Sequence, residues 1–409
     1  MKIPANHHHI FLGILFTAWR AEAFLVQPRQ SQTQLHSRSW SSTGANSPPE
    51  RLAPPRTGFL QSLLDLALAS PLWKLVLVPQ ARKKMQDTAA ENGIPWNEYR
   101  TWLEAQDGPW KSSSPIPNLD IPDYYRKSFH AYEEGNLCWD AALEVEIASA
   151  AVGARNFPAY GSQGETAFRD SFQIALQEGG ASCPEGGTIV DLGCGTGIST
   201  RRLAKTYPQA SQILGMDLSP YYCQVGTFLM ERAPIKSKQD GGNWVNTVEK
   251  DERIHFQTGN AARTGLPDNS VDIVNLQFVA HELPYTVTLD VLKESHRILK
   301  EGGQLWFCEM DFETPGYAAQ RANPLLFSLI RSTEPYLDDY ADHSQEVRDC
   351  LQQTFAKTVI TPATGRHFAI VAEKGKAQQE NHVLDDRRFD VDGNYRVEDT
   401  HLKTFDNKL

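Results

Sequence analysis

Val190-Asp191-Leu192-Gly193-Cys194-Gly195-Thr196-Gly197 joins a short apolar run, Thr188 to Asp191, to an amphipathic one, Ile198 to Thr206. Three glycines between a strand pattern and a helix pattern let a ligand approach backbone amides at a positive helix end. Working outward, Gln212 to Met216 reads as a second strand and Pro220 to Glu231 as the next helix. Ile254 to Thr258 and Val271 to Gln277 read as the third and fourth strands. A helix over Val287 to Leu299, ended by Lys300-Glu301-Gly302-Gly303, precedes a fifth strand from Gln304 to Met310. Lys357 to Thr361 and His367 to Ala372 read as an antiparallel hairpin. Strands alternating with helices predict a parallel sheet, so the fold class is α/β. The expected sheet is doubly wound and seven-stranded, five strands parallel plus the C-terminal antiparallel hairpin.

The glycine loop also selects among ligands. A dinucleotide fingerprint reads G-x-G-x-x-G, whereas this one reads G-x-G-x-G with Asp191 two residues ahead of Gly193. A carboxylate there opposes a pyrophosphate but suits a ligand carrying an ammonium and a sulfonium, as S-adenosyl-L-methionine does. Asp217, in Gly215-Met216-Asp217-Leu218-Ser219, ends the second strand, where its carboxylate can accept hydrogen bonds from ribose hydroxyls.

With these residues the sequence resembles the class I S-adenosylmethionine-dependent methyltransferases, and within them the type 11 branch that includes quinone-biosynthesis methyltransferases. The resemblance runs from about Gly164 to Glu373 and implies a Rossmann-like fold. It implies that Gly193, Cys194, Gly195 and Gly197 hold the amino acid end of the cofactor, with Asp191 close by, and that Asp217 and Leu218 hold the ribose. The third-strand motif, usually Asp-Ala, is here Asn260-Ala261, whose amide oxygen can still accept from the adenine amino group. Phe278 takes the position near the methionine end. The runs Phe129 to Trp139 and Ser332 to Leu337 are similar to plastid methyltransferases of plants and algae.

Charge bounds the partners. The chain has 40 Lys+Arg against 50 Asp+Glu, and residues 1–49 hold four of the basic and one of the acidic side chains, leaving −13 for the rest. A body of that sign repels phosphate backbones, so no nucleic acid partner is expected. The six cysteines form no C-x-x-C pair, and no metal site is expected. Residues 1–23, with an apolar run from Ile10 to Trp19 and then Ala21-Glu22-Ala23, read as a signal peptide. Residues 24–55 read as a transit peptide or linker: from Phe24 to Pro49 there are eight Ser or Thr and no acid. This resembles the bipartite leader of algae with secondary plastids and predicts a plastid location; the alternative is secretion or an endomembrane lumen. Residues 56–160 read as a helical extension, 161–374 as the methyltransferase domain and 375–409 as a charged tail. Within the extension Phe59 to Val78 is apolar but broken by Asp65, Pro71 and Lys74, which fits two short helices and a possible peripheral membrane contact.

Methyl transfer from a sulfonium is an in-line displacement governed by positioning. A base is needed only when the acceptor arrives protonated, and His281, Glu309 and Asp311, just past the fourth and fifth strands, are the candidates. Aromatic walls for a flat acceptor are offered by Tyr124, Tyr125, Tyr132 and Trp139 and by Phe327 and Tyr336. The expected activity is methylation of a small hydrophobic molecule, such as a quinone or pigment precursor. The alternatives are a protein methyltransferase acting on Lys or Arg through an open acidic groove, and a cofactor-binding scaffold without turnover.

Overall fold

The computed structural model describes residues 71–112, 120–231, 250–312, 314, 317, 331, 333–375 and 380–383. The leader, residues 59–70 of the stretch Phe59 to Val78 expected to form two short helices, residues 232–249, Phe327 and most of the tail lie outside the described residues.

Among the described residues four α-helices come first: α1 (Pro71–Glu91), α2 (Trp96–Ala105), α3 (Trp139–Asn156) and α4 (Gly164–Glu178). The alternating core follows as β1 (Thr188–Leu192), α5 (Ile198–Thr206), β2 (Gln212–Asp217), α6 (Pro220–Glu231), β3 (Ile254–Thr258) and β4 (Val271–Gln277). It continues as α7 (Tyr285–Ile298), β5 (Leu299–Met310), α8 (Leu337–Thr354), β6 (Lys357–Pro362), β7 (His367–Glu373) and β8 (Glu380–Val383). The sheet order is β3-β2-β1-β4-β5-β7-β6-β8. Strands β1 to β5 run parallel, and β7 is antiparallel to both β5 and β6. This is the doubly wound, Rossmann-like sheet expected. An eighth strand extends it, because Glu380–Val383, expected in the charged tail, pairs parallel to the free edge of β6.

Both faces of the sheet are covered, which is why its strands read as near-continuous apolar runs. Adjacent residues of β5 divide between the two cores: Trp306 packs under α5 against Tyr207, and Phe307 faces α7 and α8 beside Phe368. Helices α3 to α6 cover the first face, and α7 and α8 the second.

One boundary differs from the expectation. Lys300-Glu301-Gly302-Gly303 does not end helix α7 as a turn; it begins β5. Gly302, with φ +77°, makes a bulge there, and the register to β4 shifts between Val271 and Ile273. The carbonyls at the end of α7 are met by Lys374, whose Nζ lies 2.7 Å from His296 O and 2.8 Å from Leu299 O. A lysine 75 residues downstream thus performs the capping that the glycines suggested locally.

Chain order reverses between β1 and β4, and the carboxyl ends of these strands open the crevice where open α/β sheets take their ligands. The helical extension closes that crevice. Glu146 of α3 accepts from Thr196 of the glycine loop (3.0 Å) and from Arg201 of α5 (2.7 Å). Asn136 accepts from Ser219 through its carbonyl (2.6 Å) and from the Tyr222 hydroxyl through its side chain (2.9 Å).

Candidate active site

A cavity of about 210 Å³ lies at the switch point. Gly193, Cys194, Gly195, Asp217, Leu218, Asn260, Ala261 and Phe278 line it, so these predicted residues come together from the ends of four strands. Gly197 sits behind the loop with φ +95°, and a Cβ there would stand 2.3 Å from the Phe256 ring. Gly197→Ala is therefore expected to cost about 1–3 kcal/mol, from the positive φ and the clash together. Thermal unfolding of the variant checks this, and an unchanged midpoint would mean that Phe256 yields freely. At Gly195 the space where a Cβ would stand is open, and any side chain would project into the cavity.

Asp217 organises the loop as well as facing the cavity. Its carboxylate accepts from Gly195 N (2.9 Å), Ser219 N (2.8 Å) and the Tyr125 hydroxyl (3.2 Å). Burial raises its pKa, those three bonds oppose the rise, and Asp191 adds to it. Asn260 Oδ1 accepts from Ala262 N at 2.9 Å, an Asx turn that leaves one lone pair for a ligand. Phe278 adopts φ +59° and lodges in an aromatic cluster, 5.2 Å from Phe168 and 4.9 Å from Phe172.

Asp191 does not face the cavity. It is 1% exposed, and its carboxylate accepts from Ser199 (2.7 Å), Thr200 (2.6 Å) and Asn275 (2.7 Å). It ties the start of α5 to β1 and β4, a brace under the loop where the spacing suggested a contact for the ammonium. Its charge acts on the cavity from behind, at a distance.

The three predicted bases are also outside the cavity wall. His281 and Glu309 form a buried pair, with Nδ1 2.8 and 3.0 Å from the two carboxylate oxygens. Burial would lower the His281 pKa, but the Glu309 carboxylate outweighs it and holds the imidazolium up to about 9. Asp311 accepts from the buried Arg348 guanidinium at 3.1 Å. Glu309 and Asp311 turn to the same side, as strand alternation requires, and that side is the α7 and α8 layer.

What the sequence reading passed over is Glu282, the neighbour of His281 in the one-turn 3₁₀ helix Ala280–Glu282, and His130 in the extension; both line the cavity. Residues of a 3₁₀ turn step by about 120°, so adjacent side chains there point in different directions. Position after β4 was the available signal, and it could not say which of the two faced inward. Of the aromatic candidates, Tyr124, Tyr125 and Tyr336 line the cavity. Tyr132 instead donates to Glu144, and Trp139 packs on Trp110 and Tyr221.

The donor set suits a nucleoside bearing a cationic amino acid: a carboxylate at the end of β2, an open glycine cradle, an amide at the end of β3 and an aromatic ring at the end of β4. When bound, S-adenosylmethionine would supply an activated methyl group, with Asp217 and Asn260 holding its nucleoside and the loop its amino acid end.

Residues 190–307 match the family model described as "Methyltransferase domain". Demethylmenaquinone methyltransferase of Bacillus licheniformis is 32% identical over 122 residues, 30% of this chain and 44% of the relative. That of Lysinibacillus sphaericus is 31% identical over 133 residues, 32% of this chain and 48% of the relative. The chain thus spans about half the length of these curated relatives. Among solved structures, a SAM-dependent methyltransferase from Aquifex aeolicus aligns at 18% identity and TM-score 0.35, covering 49% of this chain and 88% of that one. By the family match residues 190–307 are a methyltransferase domain, and the donor set of the cavity fits S-adenosylmethionine as its cofactor.

Proposed function

We propose that the protein transfers a methyl group from S-adenosylmethionine to a small, hydrophobic acceptor carrying a quinol or phenol ring. The observation that carries this is the covering of the cavity by the extension. Tyr124, Tyr125 and Phe129 of the extension line the cavity together with Leu283, Val287 and Tyr336. A flat apolar ring fits such walls, whereas a lysine or arginine on a protein needs an open acidic trough. The demethylmenaquinone methyltransferases that match part of the chain point to the same acceptor class. Catalysis is then largely positioning. The loop and Asp217 fix the cofactor, and the aromatic wall holds the acceptor in line and excludes water.

The test is calorimetric binding of S-adenosylmethionine to the protein, followed by transfer of labelled methyl to a short-chain demethylmenaquinol and to a lysine- and arginine-rich peptide. Binding with transfer to the quinol is expected. Transfer to the peptide alone would replace this reading with the protein-methylating one. Binding with transfer to neither would favour a scaffold.

A further inference from the structure

Three acid and imidazole side chains from separate parts of the chain meet beside the cavity. Glu282 comes from the turn after β4 and His130 from the extension, and both line the wall. Glu334 comes from the stretch before α8. His130 Nε2 lies 3.1 Å from Glu334 Oε1 and 3.8 Å from Glu282 Oε1. His130 holds φ +49°, and its backbone N–H donates to Thr333 O at 3.0 Å, so the extension and the α8 approach are tied together at this residue. The second carboxylate oxygen of Glu334 is buried without a hydrogen-bond partner, which leaves the cluster short of one donor. Phe129, Leu283, Val287 and Tyr336 line the same cavity.

We infer that Glu282 is the general base of the reaction and His130 its positioning residue, and that the acceptor is a ring bearing an acidic hydroxyl, not an amine. This rests on the methyl-transfer reading above. In the step, the acceptor loses one proton to a Glu282 oxygen, and the electron pair so freed forms the bond to the methyl carbon. The carbon–sulfur bond breaks with its pair kept by sulfur. Glu282 then passes the proton to water. An alkylamine arrives as an ammonium at neutral pH and would need a base as well, so the hydroxyl is assigned from the aromatic and aliphatic lining of the cavity and the amine is kept as the competing probe.

The electrostatics agree with the geometry. Burial pushes the Glu282 carboxyl up to about 7, against the pull of His130 and His281 and with the push of Glu334 and Asp217. Tyr125 and Tyr222 face it as neutral phenols, their own pKa values raised above the ordinary tyrosine range by burial. A carboxylate so placed is half ionised near neutrality, where a general base is most effective. His281 cannot take this role, because its Nδ1 is held by Glu309 and it does not reach the wall.

Glu282→Gln keeps the side-chain shape and removes the base. Native protein and variant are titrated with S-adenosylmethionine and then assayed across pH with two probes, a short-chain demethylmenaquinol and a primary alkylamine. The variant is expected to bind the cofactor within about threefold of native, to lose about 10²- to 10⁴-fold in transfer to the quinol, and to lose the acid limb near pH 7. His130→Gln is expected to lower transfer at neutral pH and to move that limb to higher pH, since an imidazolium that favoured the carboxylate is gone; a merely structural role would leave the limb in place. Native-like rates and pH profile in Glu282→Gln overturn the inference. So does transfer to the amine alone, or cofactor binding with transfer to neither probe. If native protein does not bind S-adenosylmethionine at all, the methyl-transfer reading fails first and the inference falls with it.

Discussion

Replacing Asp217 with alanine is expected to weaken S-adenosylmethionine binding about 30- to 1000-fold, a loss of about 2–4 kcal/mol. Two contributions add. The carboxylate would accept from the ribose hydroxyls, and a hydrogen bond to a charged group is worth about 1.5–3 kcal/mol. The same carboxylate holds Gly195 N and Ser219 N, so the variant frees two amides and loosens the loop that cradles the amino acid end. Asp217→Asn separates the two, because its amide oxygen can still accept from one backbone N–H while the charge is lost. Calorimetric titration of both variants checks this. If Asp217→Ala binds within threefold of native, the ribose is held elsewhere and the strand-end acid is only a brace.

The second large effect is on stability. His281, 7% exposed at its side chain, is held as an imidazolium against a fully buried Glu309. In the unfolded chain a histidine titrates at about 6.5, and in the fold this one titrates at about 9. A pKa raised by folding stabilises the fold where both states are protonated differently in affinity but equally in occupancy. The contribution is therefore complete below about pH 6.5 and is lost as pH rises through about 9. Its size is about 3 kcal/mol. Glu309→Gln should remove it: the variant is expected to be less stable by about 3 kcal/mol at pH 6, with the difference shrinking toward pH 9 as the native pair loses its proton. Breaking a buried pair usually costs about 3–5 kcal/mol, and here the imidazole can limit the cost by deprotonating. Urea unfolding at pH 6 and pH 9 decides. Parallel pH slopes in native and variant would show that the pair is not ionised in the fold.

These two acids illustrate what local pattern can carry. Asp217 stands at the end of a strand whose successor helix begins within a few residues, so its direction follows from the β-α turn itself. Glu309 also stands at a strand end, and its facing side follows from alternation. What that side meets, the α7 and α8 layer rather than the cavity, depends on helices far along the chain.

The alternation of strands and helices, the glycine loop and the strand-end positions of Asp217, Asn260 and Phe278 were legible in the sequence, because each depends on contacts within a few residues: strand period, helix start and the room a glycine leaves. The inward turn of Asp191 was not legible, since it rests on Asn275 of β4 meeting it from 84 residues away. Nor was the choice of Glu282 over His281, which depends on how a three-residue turn is rotated by the layers packed on it. The cover of the cavity is the longest-range decision of all. Tyr336 donates to the Tyr124 carbonyl across 212 residues, and His130 meets Glu334 across a similar span. The sequence by itself determined the fold class and the cofactor end of the site. Only the tertiary structure decided which acid faces the acceptor, because that facing is set by side chains brought together from both ends of the domain.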